Sequence, residues 1–273
     1  MEIGVIRRWE PDGAGLDQVA HLGLTVCQVS CWNVPDDAGA QGKALLQESR
    51  EAGVRLSSVW AGWPGPRVWD FVRGPATLGI VPAEHRAARV EALKRGADFA
   101  AAAGAPAIVT HCGFIPENLD DREYPPVLAA IGDVASYCEA SGLGFWFETG
   151  QETPVVLLRT IERLGLSNLG INLDPANLVL YGKGNPVDAL DVFGRYVRSL
   201  HVKDGLYPTH GDALGQETRV GEGKVDFVRL LSKLAALGFD GDLIIEREVM
   251  GPRHDQDVQE AIARLRGWLE ALD

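Results

Sequence analysis

Leu143-Gly-Phe-Trp-Phe-Glu148, a helix-patterned stretch over residues 154–164, and Leu169-Gly-Ile-Asn-Leu-Asp174 together decide how this chain folds. Each apolar run follows a turn, Ser141-Gly142 before the first and Leu166-Ser-Asn168 before the second. Short apolar runs between turn residues read as buried strands, and strand–helix–strand alternation reads as a parallel pair joined by a crossover helix. The unit repeats in both directions. Upstream lie strand-like runs at residues 2–6 and 24–29, Arg55-Leu-Ser-Ser-Val-Trp60 and Ala107-Ile-Val-Thr-His-Cys-Gly113; downstream lie Val197-Arg-Ser-Leu-His-Val202 and Asp242-Leu-Ile-Ile-Glu246. Helical spacing of apolar residues recurs over residues 86–103, 227–237 and 255–272, the second opening on Asp226 as N-cap and stopping at Gly238. Eight such repeats in 273 residues predict an α/β fold, a single (β/α)8 TIM barrel forming one domain over residues 1–273. No G-x-G-x-x-G follows the first strand, which argues against an open doubly wound sheet.

Composition narrows the partners. Hydrophobic residues make up 46% and charged residues 23%, ordinary globular usage. The net charge of -12 repels phosphate backbones and anionic lipid, so neither nucleic acid nor a membrane surface is expected as a partner. The four cysteines show no C-x-x-C spacing and are expected to be buried thiols of a cytoplasmic protein. Met1-Glu-Ile-Gly-Val-Ile6 meets an acidic residue at once and has a short apolar run, which reads as a first strand rather than a signal peptide.

In a barrel of this kind chemistry sits where strands end and the following loops begin. Four consecutive strand ends carry Glu148, Asp174, His201 and Glu246. A charged group closing an apolar strand is costly unless paired or metal-bound, and three converging carboxylates drive one another to protonate. A divalent cation removes both costs, and three oxygen donors with one imidazole suit Mn²⁺, Co²⁺, Mg²⁺ or Zn²⁺. Separate salt bridges or strand-end caps are the alternative. Lys203, two residues after His201, shares its inward face. It is expected either to act on a substrate oxygen as a catalytic group or to pair with Asp174 or Glu148. Arg247 and Glu248 read as rim groups, Arg247 in an ion pair.

Phe147-Glu-Thr-Gly150, Asn172-Leu-Asp-Pro-Ala-Asn177, His201-Val-Lys-Asp204, Gly221-Glu-Gly223 and Ile245-Glu-Arg-Glu248 resemble the xylose isomerase-like TIM barrels. This sugar phosphate isomerase/epimerase superfamily includes ketose 3-epimerases, inosose dehydratases and hydroxypyruvate isomerases. The likeness follows strand order through the chain and is strongest over residues 143–250. It implies that Glu148, Asp174, His201 and Glu246 bind one divalent metal, with Glu148 and Glu246 as the acid/base pair. It also implies a small-molecule carbohydrate as partner and allows a homo-oligomer. Two positions depart from the ketose 3-epimerase pattern. Asn177 stands where those enzymes have a histidine, and Asp204-Gly-Leu-Tyr207 where they have an arginine. The His-x-Lys-Asp form of strand seven is more similar to the inosose dehydratase and general isomerase branches. The resemblance thus implies a metal-dependent sugar isomerase or epimerase that moves a proton next to a carbonyl through an enediolate. A dehydratase or lyase acting on a keto-inositol or 3-keto-glycoside is the alternative on the same residues. A nuclease of the AP endonuclease branch would need a His-rich multi-zinc site, whereas this chain has six histidines and a net charge of -12.

The remaining candidates are substrate contacts. His111 ends strand four and Asn177 follows Asp174 by three residues. Five of the seven tryptophans (Trp9, Trp32, Trp60, Trp63 and Trp69) lie at or just beyond the first three strands, and Phe114 follows the fourth. Aromatic faces pack against sugar C–H surfaces. Trp9, Trp32, Trp60, Trp63 and Phe114 are therefore expected to form an aromatic half of the pocket facing the polar half. A hydrophobic cap or subunit contact is the alternative. No Gly-rich loop with a nearby Lys or Arg opens a helix after strands seven or eight, which favours a substrate without phosphate.

Overall fold

The strands form where the apolar runs predict them. In the computed structural model, which describes residues 1–272, they are β1 (Glu2–Arg8), β2 (Val26–Cys31), β3 (Arg55–Ala61), β4 (Ala107–Thr110), β5 (Gly144–Glu148), β6 (Leu169–Leu173), β7 (Val197–Val202), β8 (Asp204–Gly205), β9 (Glu217–Thr218) and β10 (Asp242–Ile245). Eight of them close into one parallel barrel in the order β1-β2-β3-β4-β5-β6-β7-β10. The short β8 and β9 pair antiparallel beside it. Helices Ala83–Ala103, Tyr124–Ala140, Pro154–Leu164, Phe227–Ala236 and His254–Glu270 lie in the crossovers and after the last strand. The Asp226 carboxylate accepts from Arg229 N at 3.1 Å, as an N-cap should, and Gly238 ends that helix at φ 76°.

Alternation along each strand decides which side chains enter the barrel. Gly144, Trp146 and Glu148 share one face of β5; Ser199 and His201 share one face of β7, and Lys203 continues it. Trp146 occupies space that its neighbours leave open: a Cβ at Gly170 of β6 would lie 2.7 Å from its indole. The opposite faces of the strands pack against the helices in one large core that includes Phe145, Phe147, Ile171, Leu200 and Leu243.

Three features shape the rim between β6 and β10. Asp174 caps the short helix Pro175–Leu180, accepting from Asn177 N at 2.9 Å. This helix carries Asn177 and leads into Tyr181. Asp204, fully buried, accepts from Gly205 N at 2.8 Å, Gly221 N and Gly223 N at 2.9 Å and Val225 N at 3.0 Å. Gly223 is required there, since a Cβ would sit 2.1 Å from Asp204 Oδ1. Arg247, expected to sit in an ion pair, bridges Glu217 at 2.6 Å and Asp257 at 3.0 Å, tying β9 to the last helix.

Replacing Asp204 strands four backbone donors at once. Asp204→Ala is expected to lose about 3 kcal/mol of unfolding free energy in urea titrations. A loss below about 1 kcal/mol would show that the loop holds without this carboxylate.

Candidate metal and substrate site

The barrel brings the four strand-end residues together. One ligand atom each from Glu148, Asp174, His201 and Glu246 lies within 4.8 Å of the others. His201 Nδ1 is 3.3 Å from Glu148 Oε1, 3.7 Å from Asp174 Oδ2 and 3.2 Å from Glu246 Oε2. Its other nitrogen, Nε2, faces Gln28 Oε1 at 2.7 Å, and the Gln28 amide nitrogen donates to Ser58 Oγ at 2.8 Å. The Gln28 amide oxygen, buried inside the barrel, thereby fixes Nε2 as a donor and leaves Nδ1 for the cluster, the usual way a ligating imidazole is oriented. His201 Nδ1 and Asp174 Oδ2 are buried and make no hydrogen bond among the described residues. An all-oxygen-and-imidazole donor set with two such atoms turned inward fits a divalent cation.

Further groups close the cluster. Trp60 Nε1 donates to Glu148 Oε2. Asn177 Nδ2 approaches Glu148 Oε1 at 3.4 Å, and His111 Nε2 lies at the same distance from that oxygen. Lys203 Nζ stands 3.2 Å from Asp174 Oδ2, 3.1 Å from Glu246 Oε2 and 2.8 Å from Glu248 Oε2. It also donates to Asn177 Oδ1 at 3.3 Å. The ion-pair expectation for Lys203 therefore holds for Asp174, with Glu246 and Glu248 as additional partners.

Burial would push both glutamates up. At Glu148 the His111 and His201 charges outweigh burial and hold the carboxyl well below its usual range. At Glu246 the Lys203 and His201 charges outweigh it and hold the carboxyl down to about 2. Burial likewise disfavours charge on His201 and Lys203. Glu246 and Glu148 around the first, and Asp174 and Glu246 around the second, raise both well above their ordinary values. Without metal the carboxylates are thus balanced by protonated His201 and Lys203, and a dication can replace the proton on Nδ1.

A cavity of about 700 Å³ opens above the cluster. Trp32, Trp60 and Trp69 line one side; Glu148, Asn177 and Glu246 line the other, with His111 and Tyr181 between them. The polar and aromatic halves expected from the sequence are both present, but their membership differs. Trp9 packs its ring against Phe99 at 5.3 Å in the core, because β1 turns it outward toward the helices. Trp63 is buried behind the wall, 5.9 Å from Trp60 and 6.4 Å from Trp69. Phe114 packs on Tyr181 at 6.0 Å rather than facing the cavity. The loop after β3 is held by Arg89, itself fully buried, which donates to Pro64 O at 3.0 Å, Pro66 O at 2.7 Å and Gly79 O at 2.5 Å. His210 is exposed. A second cavity, about 170 Å³, lies between β1 and the last helix, around Val5, Gln18 and Val258.

Gln28, Ser58, Gln151, Glu152 and Tyr181 were not singled out from the sequence. Gln28 had a readable signal, a polar residue inside the apolar run Val26-Cys-Gln-Val29. Gln151 and Glu152 sit in the loop after β5, 1% and 2% exposed. Burial pushes the Glu152 carboxyl up from 4.5 to about 7. A raised folded value means that the stability due to neutral Glu152 is fully present below about pH 4.5 and lost as pH rises through about 7. In chelator-treated protein, Glu152→Gln and the parent are expected to match within about 1 kcal/mol near pH 4. Near pH 8 the variant should be more stable by about 3 kcal/mol. Denaturant titrations at the two pH values check this, and parallel curves would contradict it.

The comparisons agree with the geometry. Residues 16–271 match the model of the xylose isomerase-like TIM barrel family. A xylose isomerase domain protein from Planctomyces limnophilus superposes with a TM-score of 0.89 at 33% identity, over 99% of this chain and 98% of that one. A D-tagatose 3-epimerase-like protein superposes with a TM-score of 0.76 at 20% identity, over 100% and 98% of the two chains. An uncharacterized protein of Methanocaldococcus jannaschii is 25% identical over 174 residues, 58% of this chain and 56% of its own length, so the match spans little more than half of that protein. The histidine-poor acidic cluster, the order of its ligands along the strands and the family match lead to one conclusion: this chain belongs to the xylose isomerase-like TIM barrel family.

Proposed function

We propose that the chain is a divalent-metal-dependent sugar isomerase or epimerase acting at a carbon next to a carbonyl. The observation that carries the reading is the convergence of Glu148, Asp174, His201 and Glu246, whose ligand atoms all lie within 4.8 Å of one another at the end of the barrel. Family membership and the epimerase-like neighbour support a carbohydrate substrate. The four residues would hold one Mn²⁺, Co²⁺, Mg²⁺ or Zn²⁺. When bound, the ion supplies Lewis-acid polarisation of the substrate carbonyl and its neighbouring hydroxyl.

The chain's own groups supply the proton transfer. One of Glu148 and Glu246 takes the proton from carbon, and the other returns one. The charges of His111, His201 and Lys203 hold both carboxyls below their ordinary range, which favours the ionised form a base needs. Lys203 holds its Nζ against Glu246 and donates to the oxygen that gains charge as the enediolate forms. Trp32 and Trp60 offer an apolar wall to the C–H side of the sugar and keep water from the reacting carbon. Use of both glutamates from opposite sides gives epimerisation; use of one twice gives 1,2-isomerisation.

Protein stripped by chelator and reloaded with each ion singly should catalyse deuterium uptake at carbon from D₂O with one sugar of a panel of ketoses, aldoses and keto-inositols. NMR reads the exchange and the product. Glu246→Gln is expected to lower the exchange rate by at least about 10²-fold. Exchange that persists without metal, or survives Glu246→Gln, would sink the reading; loss of water or of an aglycone in place of an isomeric sugar would assign the dehydratase or lyase chemistry.

A further inference from the structure

The smaller cavity, about 170 Å³, lies outside the barrel wall, between β1, β10 and the helices that flank them. Its origin is a mismatch of lengths. The crossover from β1 to β2 has only the six-residue helix Leu16–His21, about 9 Å long, whereas the last helix has 17 residues and runs about 25 Å. The short helix leaves a gap beside the long one. Strand alternation turns Val5 and Arg7 of β1, and Ile245 and Arg247 along β10, outward into that gap. Val5 and Ile245 are partners in the sheet register and form an apolar floor with Leu22 and Val258. Gln18 of the short helix and Gln259 of the last one stand at the sides.

The two arginines above this floor differ in charge balance. Arg247 is matched by Glu217 at 2.6 Å and Asp257 at 3.0 Å. Arg7, half-buried, pairs with no carboxylate among the described residues, and its side chain makes one hydrogen bond, from Nη2 to Gln18 Oε1 at 2.5 Å. A guanidinium has five N–H groups to offer. Glu48, on the neighbouring helix Ala38–Ala52, is already held by Ala14 N at 3.0 Å and Leu16 N at 2.8 Å. Asp255 at the mouth is 98% exposed and lies 3.2 Å from His254 Nδ1. A cation without a counter-charge above an apolar floor matches an anion that carries an apolar body.

We propose that this cavity binds a small monocarboxylate, whose compact apolar body rests on Val5, Leu22, Ile245 and Val258 and whose carboxylate takes N–H groups of Arg7. The site lies apart from the strand-end cluster and does not rest on the isomerase reading. Volume limits the ligand: a cavity of this size takes a body of about six carbons. Arginine suits a planar carboxylate, which it binds through paired N–H groups. The Gln18 amide nitrogen adds a neutral donor beside it. A phosphate dianion is disfavoured, since one unmatched cation faces two charges and the floor gives it no polar partner.

Arg7 stands where the two cavities meet and lines both, whereas Gln259 lines only the smaller one. Benzoate, its neutral isostere benzamide and inorganic phosphate are titrated calorimetrically into the metal-free and the Mn²⁺-loaded chain, with thermal unfolding as the check that each variant folds. One benzoate per chain is expected, with the same affinity in both forms. Benzamide should bind the parent about tenfold more weakly than benzoate, and benzoate should bind Arg7→Gln about tenfold more weakly than the parent, with partial recovery in Arg7→Lys. Gln259→Trp changes an exposed residue, fills the smaller cavity and leaves the larger one as it is, so it should abolish benzoate binding. Benzamide or phosphate binding as tightly as benzoate, undiminished benzoate affinity in folded Gln259→Trp, binding that requires Mn²⁺, or no saturable benzoate binding would each overturn the proposal.

Discussion

Three carboxylates and an imidazole held within a few ångströms inside an apolar barrel are the constraint on which the rest depends. Removing such charges from water is expensive, and their mutual repulsion adds to the cost. The fold meets it with opposite charge. Lys203 reaches Asp174, Glu246 and Glu248 at once, and His201 stands against Glu148 and Glu246. Under the proposed function, a dication would take the place of the proton on His201 Nδ1 in this cluster.

The scaffold around the cluster fixes angles more than distances. Gln28 and Ser58, from strands on the far side of the barrel, set the imidazole's tautomer across the interior. Asp174 serves twice, with one oxygen capping the helix that carries Asn177 and the other turned to the cluster. Asp204 and Arg247 tie the rim loops after β7 to one another and to the last helix. On the opposite side buried Arg89 anchors the loop that carries Trp63 and Trp69 by donating to three backbone carbonyls.

The barrel was legible because parallel strands buried on both faces read as unbroken apolar runs, and all eight predicted runs pair in the closed sheet. The cluster was legible because each member interrupts such a run at its end. Helix Pro154–Leu164 coincides with its predicted span, and helix Phe227–Ala236 falls one residue short of it. What sequence could not give was direction within loops. Trp9, Trp63 and Phe114 were grouped with Trp32 and Trp60 by chain position, yet only the latter two face the cavity. Backbone course beyond a strand end is not periodic, so no spacing rule sorts inward from outward there. The β8–β9 pairing was missed for a related reason: two-residue strands carry no pattern, and the pair is held by Asp204 accepting from glycines far along the chain. Glu152 was missed because a polar residue in a loop reads as exposed, whereas this one is buried.

Isothermal titration of Mn²⁺ into the chelator-treated chain, set against Asp174→Asn and His201→Asn, probes the cluster most directly. Glu148, Asp174, His201 and Glu246 acting as one ligand set predict a single Mn²⁺ per chain, proton release on binding, and an affinity at least about 10²-fold lower in either variant. Absence of binding, or variants that bind as tightly as the parent, would contradict a metal centre at the end of this barrel.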